Sequence, residues 1–216
     1  ESEGYFHRFF QKLKSTGYPL KAVVCDDVIS ALKTAFFHYY PEAKVQLCHN
    51  HYVENIRQHL NVRTRREHKR FFAMLYKGVF RQSKEKLAMS FAIRDALRKR
   101  AERNLHRQAV MLQLEAREKE LFVHHEIPDC PKDTNLVELF NSHLNARLRA
   151  TKGFKSFQGA ERWLNAYMIL RRTKPFTDCD QKFKHLNGKC SLEMTLKDGA
   201  KWPKLPGILR SNAHPK

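Results

Sequence analysis

Two carboxylates stand where a metal-dependent reaction would need them. Asp26 closes the short apolar run from Lys21 to Cys25, and Glu138 lies four residues after Thr134. Metal-dependent phosphoryl transfer uses hard oxygen ligands that a rigid fold brings together from separate elements. Asp26 and Glu138 are therefore candidate catalytic residues and metal ligands, and Asp27 is a rival ligand beside Asp26.

Both acids also have ordinary structural interpretations. Asp26 or Asp27 could cap the helix that is predicted to follow the strand, since aspartate is a favoured N-cap residue. Asn135-x-x-Glu138 matches a capping box, in which Glu138 would reach back to the backbone of Asn135. The local sequence leaves these alternatives open.

A second group that could do chemistry is Cys48-x-x-His51, which has the spacing of half a zinc site. Zinc needs four ligands, and two sets of residues could supply the other half: His124, His125 and Cys130, or Cys179, His185 and Cys190. The structural alternative is a buried thiol and a hydrogen-bonded imidazole that brace a strand–helix turn. Zn²⁺ therefore stays a possible cofactor at Cys48 and His51.

The pattern of apolar residues predicts the elements that must position these groups. Helical spacing predicts a helix over 1–16 and another over 29–40, and β-branched runs predict strands at 21–25 and 44–48, with a helix beginning near His51. Strand and helix alternate, which favours an α/β fold with parallel neighbouring strands. Residues 57–125 read as nearly all helical, with breaks near Gly78 and Arg81–Ser83. A connector that could include a strand follows, and then helices from Thr134 to Ala150 and from Ser156 to Leu170.

Charge limits the class of partner. The 216 residues carry a formal net charge of +19 and are 42% hydrophobic, so the chain can bury a core and is expected to bind a polyanion. Nucleic acid is favoured over an acidic membrane surface, because the charge is spread along the chain.

The five cysteines are odd in number and irregularly spaced, which favours a reducing, intracellular compartment over a disulfide framework. No apolar run approaches the ~18 residues of a membrane helix.

Basic segments are candidate phosphate contacts. A solvated helix face is the structural alternative, but the excess of positive charge makes backbone contacts to DNA the favoured interpretation. The candidate DNA-binding residues are Arg63, Arg65, Arg66, Lys69, Arg70, Arg98, Lys99, Arg100, Arg147, Arg149, Lys152 and Lys155.

The ordered set of motifs resembles one protein family. Three segments resemble, in their order along the chain, the catalytic domain of Mutator-like transposases and their bacterial insertion-sequence relatives. These segments are Val23-Val-Cys-Asp26-Asp27, Tyr40-Pro-Glu-Ala-Lys-Val-Gln-Leu-Cys48-x-x-His51 and Thr134-Asn-x-x-Glu138-x-Phe-Asn141. The resemblance covers about residues 1–60 and 133–172. Asp27 departs from it, because glycine is usual at that position.

The resemblance implies an RNase H-like core, a triad of two aspartates and one glutamate, and an all-helical insertion before the glutamate. It makes Asp26 the second acid and Glu138 the third, with two Mg²⁺ or Mn²⁺ ions in the intact enzyme. The first aspartate is expected on a strand upstream of Glu1, so the core is expected to be incomplete here, with its first strands missing, and this chain alone is expected to be inactive. A homodimer, DNA as transposon end and target, and no small-molecule substrate are also implied.

These inferences predict four segments. Residues 1–56 would be the second part of the RNase H-like core, 57–125 the helical insertion, 126–174 the rest of the core with the glutamate helix, and 175–216 an extended basic tail in which Trp202 could be an anchor. The predicted function is DNA transposition in the nucleus or nucleoid. The alternative is a catalytically inactive, transposase-derived DNA-binding protein that acts as a repressor or an architectural factor.

Overall fold

The first part of the chain alternates helices and strands, as the sequence predicted. The computed structural model describes residues 2–26 and 30–195. Its first elements are α1 (Ser2–Ser15), β1 (Ala22–Cys25), α2 (Ser30–Tyr39), β2 (Lys44–Leu47) and α3 (His49–His59).

The two strands form a parallel sheet with α2 as the crossover between them. Ala22 pairs with Lys44 and Cys25 pairs with Leu47, so the carboxyl ends of both strands lie at the same edge. Parallel strands need such a crossover connection, usually a helix, because a tight turn can join only antiparallel strands. The RNase H-like arrangement stays a prediction, since two parallel strands flanked by helices are common to many α/β folds.

The core lies where the sheet meets the helices around it. Phe10 of α1 packs on Phe36 of α2 with ring centroids 5.4 Å apart, and both rings are buried. Leu47 of β2 and Leu114 and Leu121 of the later helix α6 (Leu105–Leu121) are at most 1% exposed. Burial of these apolar side chains supplies the main driving force that holds the sheet against the helices.

The middle of the chain is helical, but its breaks differ in part from those predicted. It consists of α4 (Arg66–Leu75), a π-helical turn (Tyr76–Phe80), a short 3₁₀ turn (Lys84–Lys86), α5 (Leu87–Ala101) and α6. The predicted break at 81–83 is confirmed. Two further breaks, at 60–65 and 102–104, were missed because no glycine or proline marks them. Asn61 takes a positive φ of 48°, and Asn104 caps α6 by accepting a hydrogen bond from the Arg107 amide.

Gly78 does not break the helix, contrary to the prediction. It is buried in the π-helical turn, where a Cβ atom would lie 2.7 Å from Ile93 Cγ2 on α5. The glycine is therefore explained by the close approach of α5, since no side chain fits in that space.

The remaining described chain contains α7 (Asn135–Ala150) and α8 (Phe157–Thr173), close to their predicted limits. Between α6 and α7 the described residues contain a 3₁₀ turn (Val123–His125) and no strand. Residues 175–195 are not extended as predicted, because Pro175 pairs with Cys190 in an antiparallel bridge and 3₁₀ turns cover Gln181–Leu186 and Glu193–Thr195. Trp202 and the rest of the predicted tail lie outside the described residues.

The chain divides into two compact units, one up to Ser142 and one from His143 onward, with the boundary inside α7. The predicted helical insertion belongs to the first unit, and the domain limits after residues 56, 125 and 174 stay predictions. Within the described ranges, no helix is long and apolar enough to span a membrane. No disulfide joins the cysteines, all five of which are among the described residues.

Candidate metal centre

The edge of the parallel sheet brings the ends of β1 and β2 together. Asp26 directly follows β1 and Cys48 directly follows β2, and the Cys48 amide donates a hydrogen bond to the Cys25 carbonyl over 2.9 Å. Side chains at the carboxyl ends of parallel strands point into the crevice where sites of α/β proteins form. Because α3 begins at His49, His51 lies one helical turn from Cys48 and on the same side of the helix.

The start of α7 is held against the start of α3. The His49 amide donates to the Lys132 carbonyl over 2.9 Å, and Asn50 Nδ2 donates to Asn135 Oδ1 over 2.5 Å. Glu138 lies on the first turn of α7, so these two bonds place its carboxylate beside His51. The Thr134 hydroxyl then donates to Glu138 Oε1 over 2.5 Å and sets the position of the carboxylate.

Asp26 and Glu138 meet at one imidazole. His51 Nδ1 lies 2.7 Å from Asp26 Oδ1 and 3.8 Å from Glu138 Oε1. The distance between the two carboxylate oxygens, Asp26 Oδ1 and Glu138 Oε1, is therefore at most the sum of these two distances. All three side chains are partly open to solvent, at 37% exposure for Asp26, 44% for His51 and 51% for Glu138, so a substrate can reach them.

The surroundings of Asp26 Oδ1 indicate whether this site suits a divalent cation. Within the described ranges the atom is buried and accepts no hydrogen bond, although His51 Nδ1 lies 2.7 Å from it. A buried carboxylate oxygen without a partner is costly unless a cation or a donor reaches it. A hard oxygen held this way, with a second carboxylate beside it, fits a Mg²⁺ or Mn²⁺ ion.

Cys48 links His51 to Thr134. Its sulfur lies 3.2 Å from His51 Nδ1 and 3.3 Å from the Thr134 hydroxyl, and accepts from the Thr134 amide over 3.4 Å. Burial raises the pKa of the Cys48 thiol, but its hydrogen bonds with Thr134 and His51 outweigh this effect, so the pKa is lowered overall. Burial lowers the pKa of His51, but the Cys48 hydrogen bond and the charges of Asp26 and Glu138 raise it overall.

The helix-capping roles considered for the acids can be checked in part. Asn135 is the first residue of α7 and its side chain accepts from Asn50, while Glu138 bonds to Thr134. The capping box between Asn135 and Glu138 is therefore wrong. Asp27 lies outside the described residues, so its rival role stays a prediction.

The second half of the predicted zinc site is not found beside Cys48 and His51. Among the described residues, one group of three metal-ligating side chains lies close enough to share an ion: Asp26, Cys48 and His51, with ligand atoms within 4.8 Å of one another. None of the six cysteines and histidines proposed for the second half belongs to it. The thiol and imidazole form the bracing contact that was the structural alternative, although a zinc ion itself stays untested.

Two residues of this region were not predicted to be site residues from the sequence. Thr134 contacts both Cys48 and Glu138, but in the sequence it looks like an ordinary helix-start residue. Gln46 is completely buried on β2, where its Nε2 donates to the Leu121 carbonyl over 2.8 Å and its Oε1 accepts from the His124 amide over 2.8 Å. A glutamine inside a buried strand was the available signal, since a buried polar side chain needs partners.

The Gln46 network predicts an acid-sensitive fold. Burial, together with the nearby His49 and His125, lowers the pKa of His124 from 6.5 to about 3, so the folded protein keeps this ring neutral. The unfolded chain takes up a proton below pH ~6.5 at this residue. The free energy of unfolding should therefore fall as the pH falls from about 6.5 toward 3, by up to about 1.4 kcal/mol per pH unit from His124.

Urea unfolding between pH 5 and 6.5 measures this slope. We expect His124→Gln to flatten it by about one proton, because the variant has no ring to protonate in the unfolded state. His143→Gln, which replaces an exposed histidine of α7, is the matched control. An unchanged slope in His124→Gln would contradict the prediction.

The candidate DNA-binding residues all lie on the surface. Each of the twelve is exposed, as phosphate contacts require, and five of them cluster in sequence around the start of α4 (Arg63, Arg65, Arg66, Lys69 and Arg70). Arg98 is paired with Glu115 over 3.0 Å.

Comparison with known protein families gives one match. The family model described as "Transposase, Mutator family" matches residues 1–174, which includes all of α1 to α8 and every residue of the candidate metal centre. No curated protein and no solved structure shows significant similarity to the chain.

Proposed function

Because the chain belongs to the Mutator family of transposases, we propose that Asp26 and Glu138 are two of the metal-binding acids of a DNA-cleaving and DNA-joining site. One observation carries the proposal: acids from the end of β1 and the start of α7 reach the same His51 nitrogen. The family makes DNA the partner. The basic surface residues named above are proposed to hold its backbone.

The residues around the acids have positioning roles. The Thr134 hydroxyl holds Glu138, and the Cys48 sulfur holds both His51 and Thr134, so the three elements that meet here stay in register. In this arrangement His51 lies between the two carboxylates. Its protonated ring carries a positive charge, which reduces the electrostatic repulsion between them. Asp26 and Glu138 act as ligands and transfer no proton.

Divalent cations bound at such carboxylates activate the attacking oxygen and stabilise the leaving oxygen of a phosphodiester. Asp26 and Glu138 would hold them, together with the further aspartate that the family resemblance implies. The two-ion arrangement and the homodimer stay predictions.

Cleavage by the full-length protein tests the proposal. DNA carrying the element ends is incubated with Mg²⁺, with Mn²⁺ or with EDTA, and strand breaks are followed on denaturing gels. We expect cleavage with either cation and none with EDTA. Tight DNA binding without cleavage under any of these conditions would instead support the alternative, a catalytically inactive DNA-binding protein.

A further inference from the structure

A cavity of about 640 Å³ lies between α7 and α8 within the second unit. This volume is in the range of ~300–1,000 Å³ that is usual for sites that take small molecules or parts of larger ligands. The cavity is separate from the acids, since none of its lining residues belongs to the metal centre. The lining residues that matter for its chemistry are His143, Arg147, Trp163, Tyr167, Arg171 and Lys174.

Two aromatic rings that stack on each other line the cavity. Trp163 and Tyr167 are four residues apart on α8 and therefore on the same face, and their rings are parallel within 5° with centroids 5.4 Å apart. Phe154 packs against Trp163 from the preceding loop, with centroids 5.7 Å apart. Both rings are half-buried, so the pair is held in place and stays partly open to solvent.

Three permanent cations and one histidine converge on the same cavity, and none of the described acidic side chains lines it. Arg147 comes from α7, while Arg171 and Lys174 come from the end of α8. Arg147 and Lys174 carry like charges that repel one another, so their convergence is favourable chiefly when an anion lies beside them. Phosphate groups are the anions that arginine and lysine recognise in this way.

Simple helix packing does not explain these residues well. The described part of α8 buries only Thr173, and α7 has no buried residue, so the Trp163–Tyr167 pair is not the centre of a closed core. A structural stripe would also not need cations at its edge. Aromatic faces next to phosphate-binding cations are the pattern of single-stranded nucleic-acid sites, where bases stack on the rings.

We propose that this cavity binds one unpaired nucleotide of the DNA, with its base on Trp163 and Tyr167 and its phosphates among Arg147, Arg171 and Lys174. A paired base shows only its edges in the grooves, so the nucleotide must leave the stack or lie in a single strand to present its face. The proposal rests on DNA being the partner, as in the proposed function, and does not require that the chain cleaves DNA.

Tryptophan fluorescence measures this binding directly. The chain has two tryptophans, Trp163 and Trp202, so the Trp202→Phe variant leaves Trp163 as the only reporter. The 216-residue chain with this substitution is titrated in EDTA with a single-stranded oligonucleotide, with the duplex of the same sequence, and with poly-glutamate. We expect saturable quenching by the single strand and much weaker quenching by the duplex.

Matched variants separate stacking from general charge, with binding measured by the anisotropy of a labelled oligonucleotide. Trp163→Ala should weaken single-strand binding about tenfold or more and change duplex binding less than twofold. Trp163→Phe should retain most of the affinity. Phe157→Ala, which removes an aromatic ring that is 83% exposed on the same helix and does not line the cavity, is the control and should have no effect.

Three results would overturn the proposal: no quenching by the single strand, equal losses for single strand and duplex in Trp163→Ala, or quenching by poly-glutamate as strong as by DNA. The last result would indicate an acidic protein partner. Because EDTA removes divalent cations, a protein that fails to cleave DNA can still pass this test, so the two proposals fail independently. Circular dichroism of each variant confirms that a loss of binding does not come from unfolding.

Discussion

Replacing Glu138 by Gln should reduce metal-dependent DNA cleavage by at least about a thousandfold, which corresponds to about 4 kcal/mol of transition-state stabilisation. The glutamine keeps the size and the hydrogen-bond acceptor that Thr134 contacts, but it removes the negative charge that a divalent cation needs. The measurement is the single-turnover cleavage rate of the full-length protein with Mg²⁺ and with Mn²⁺.

The control is Glu161→Gln, which removes an exposed acid of α8 and should leave the rate within about twofold of wild type. DNA affinity should be unchanged or slightly higher in Glu138→Gln, since the variant loses a negative charge. Asp26→Asn is expected to behave like Glu138→Gln. If Glu138→Gln cleaves at the wild-type rate, Glu138 is not a metal ligand, although the chain remains a member of its family.

Replacing Gln46 by Leu should lower the free energy of unfolding by about 2 to 5 kcal/mol, because it leaves buried polar groups without partners. The His124 amide and ring both lose their acceptor, Gln46 Oε1, while the Leu121 carbonyl keeps His49 Nε2 as a donor at 2.6 Å. Leucine fits the volume of glutamine closely, so the loss measures the hydrogen bonds and not a cavity. Urea unfolding at pH 7 gives the value.

Gln113→Leu is the matched control, since Gln113 is exposed on α6 and the substitution should change stability by less than about 0.5 kcal/mol. The Gln46 prediction also has a structural consequence. Gln46 connects β2 to the end of α6, so this helix is held to the strand that precedes Cys48. A Gln46→Leu variant as stable as Gln113→Leu would show that apolar packing alone makes this connection.

The local elements were largely predictable, because their signals lie within a few residues. The runs that form β1 and β2, the helical spacing in α1 and α2, and the break after Ala150 each follow from the period of apolar residues and from glycine. The breaks at 60–65 and 102–104 were not predictable in this way. They depend on Asn61 and Asn104, whose side chains favour turns and caps only in the right context.

Asp26 and Glu138 could be proposed as candidate acids from the sequence, but their surroundings could not be predicted from it. Asp26 was singled out because it ends a strand, and Glu138 because of the motif around it. That Asp26 Oδ1 accepts no hydrogen bond from the described residues, and that Thr134 connects Cys48 to Glu138, depends on tertiary packing. No short-range pattern contains that information, since the partners are distant in the chain.

By itself, the sequence determined the family, the positive charge and the order of strand, helix and acid, since these depend on composition and on neighbouring residues. Only the tertiary structure decided which side chains from distant parts of the sequence lie close together. It brought Asp26 and Glu138 to His51 and placed Trp163 and Tyr167 beside Arg147. The physical reason is that such meetings depend on long-range packing, where burial and hydrogen bonds between distant segments select one arrangement among many.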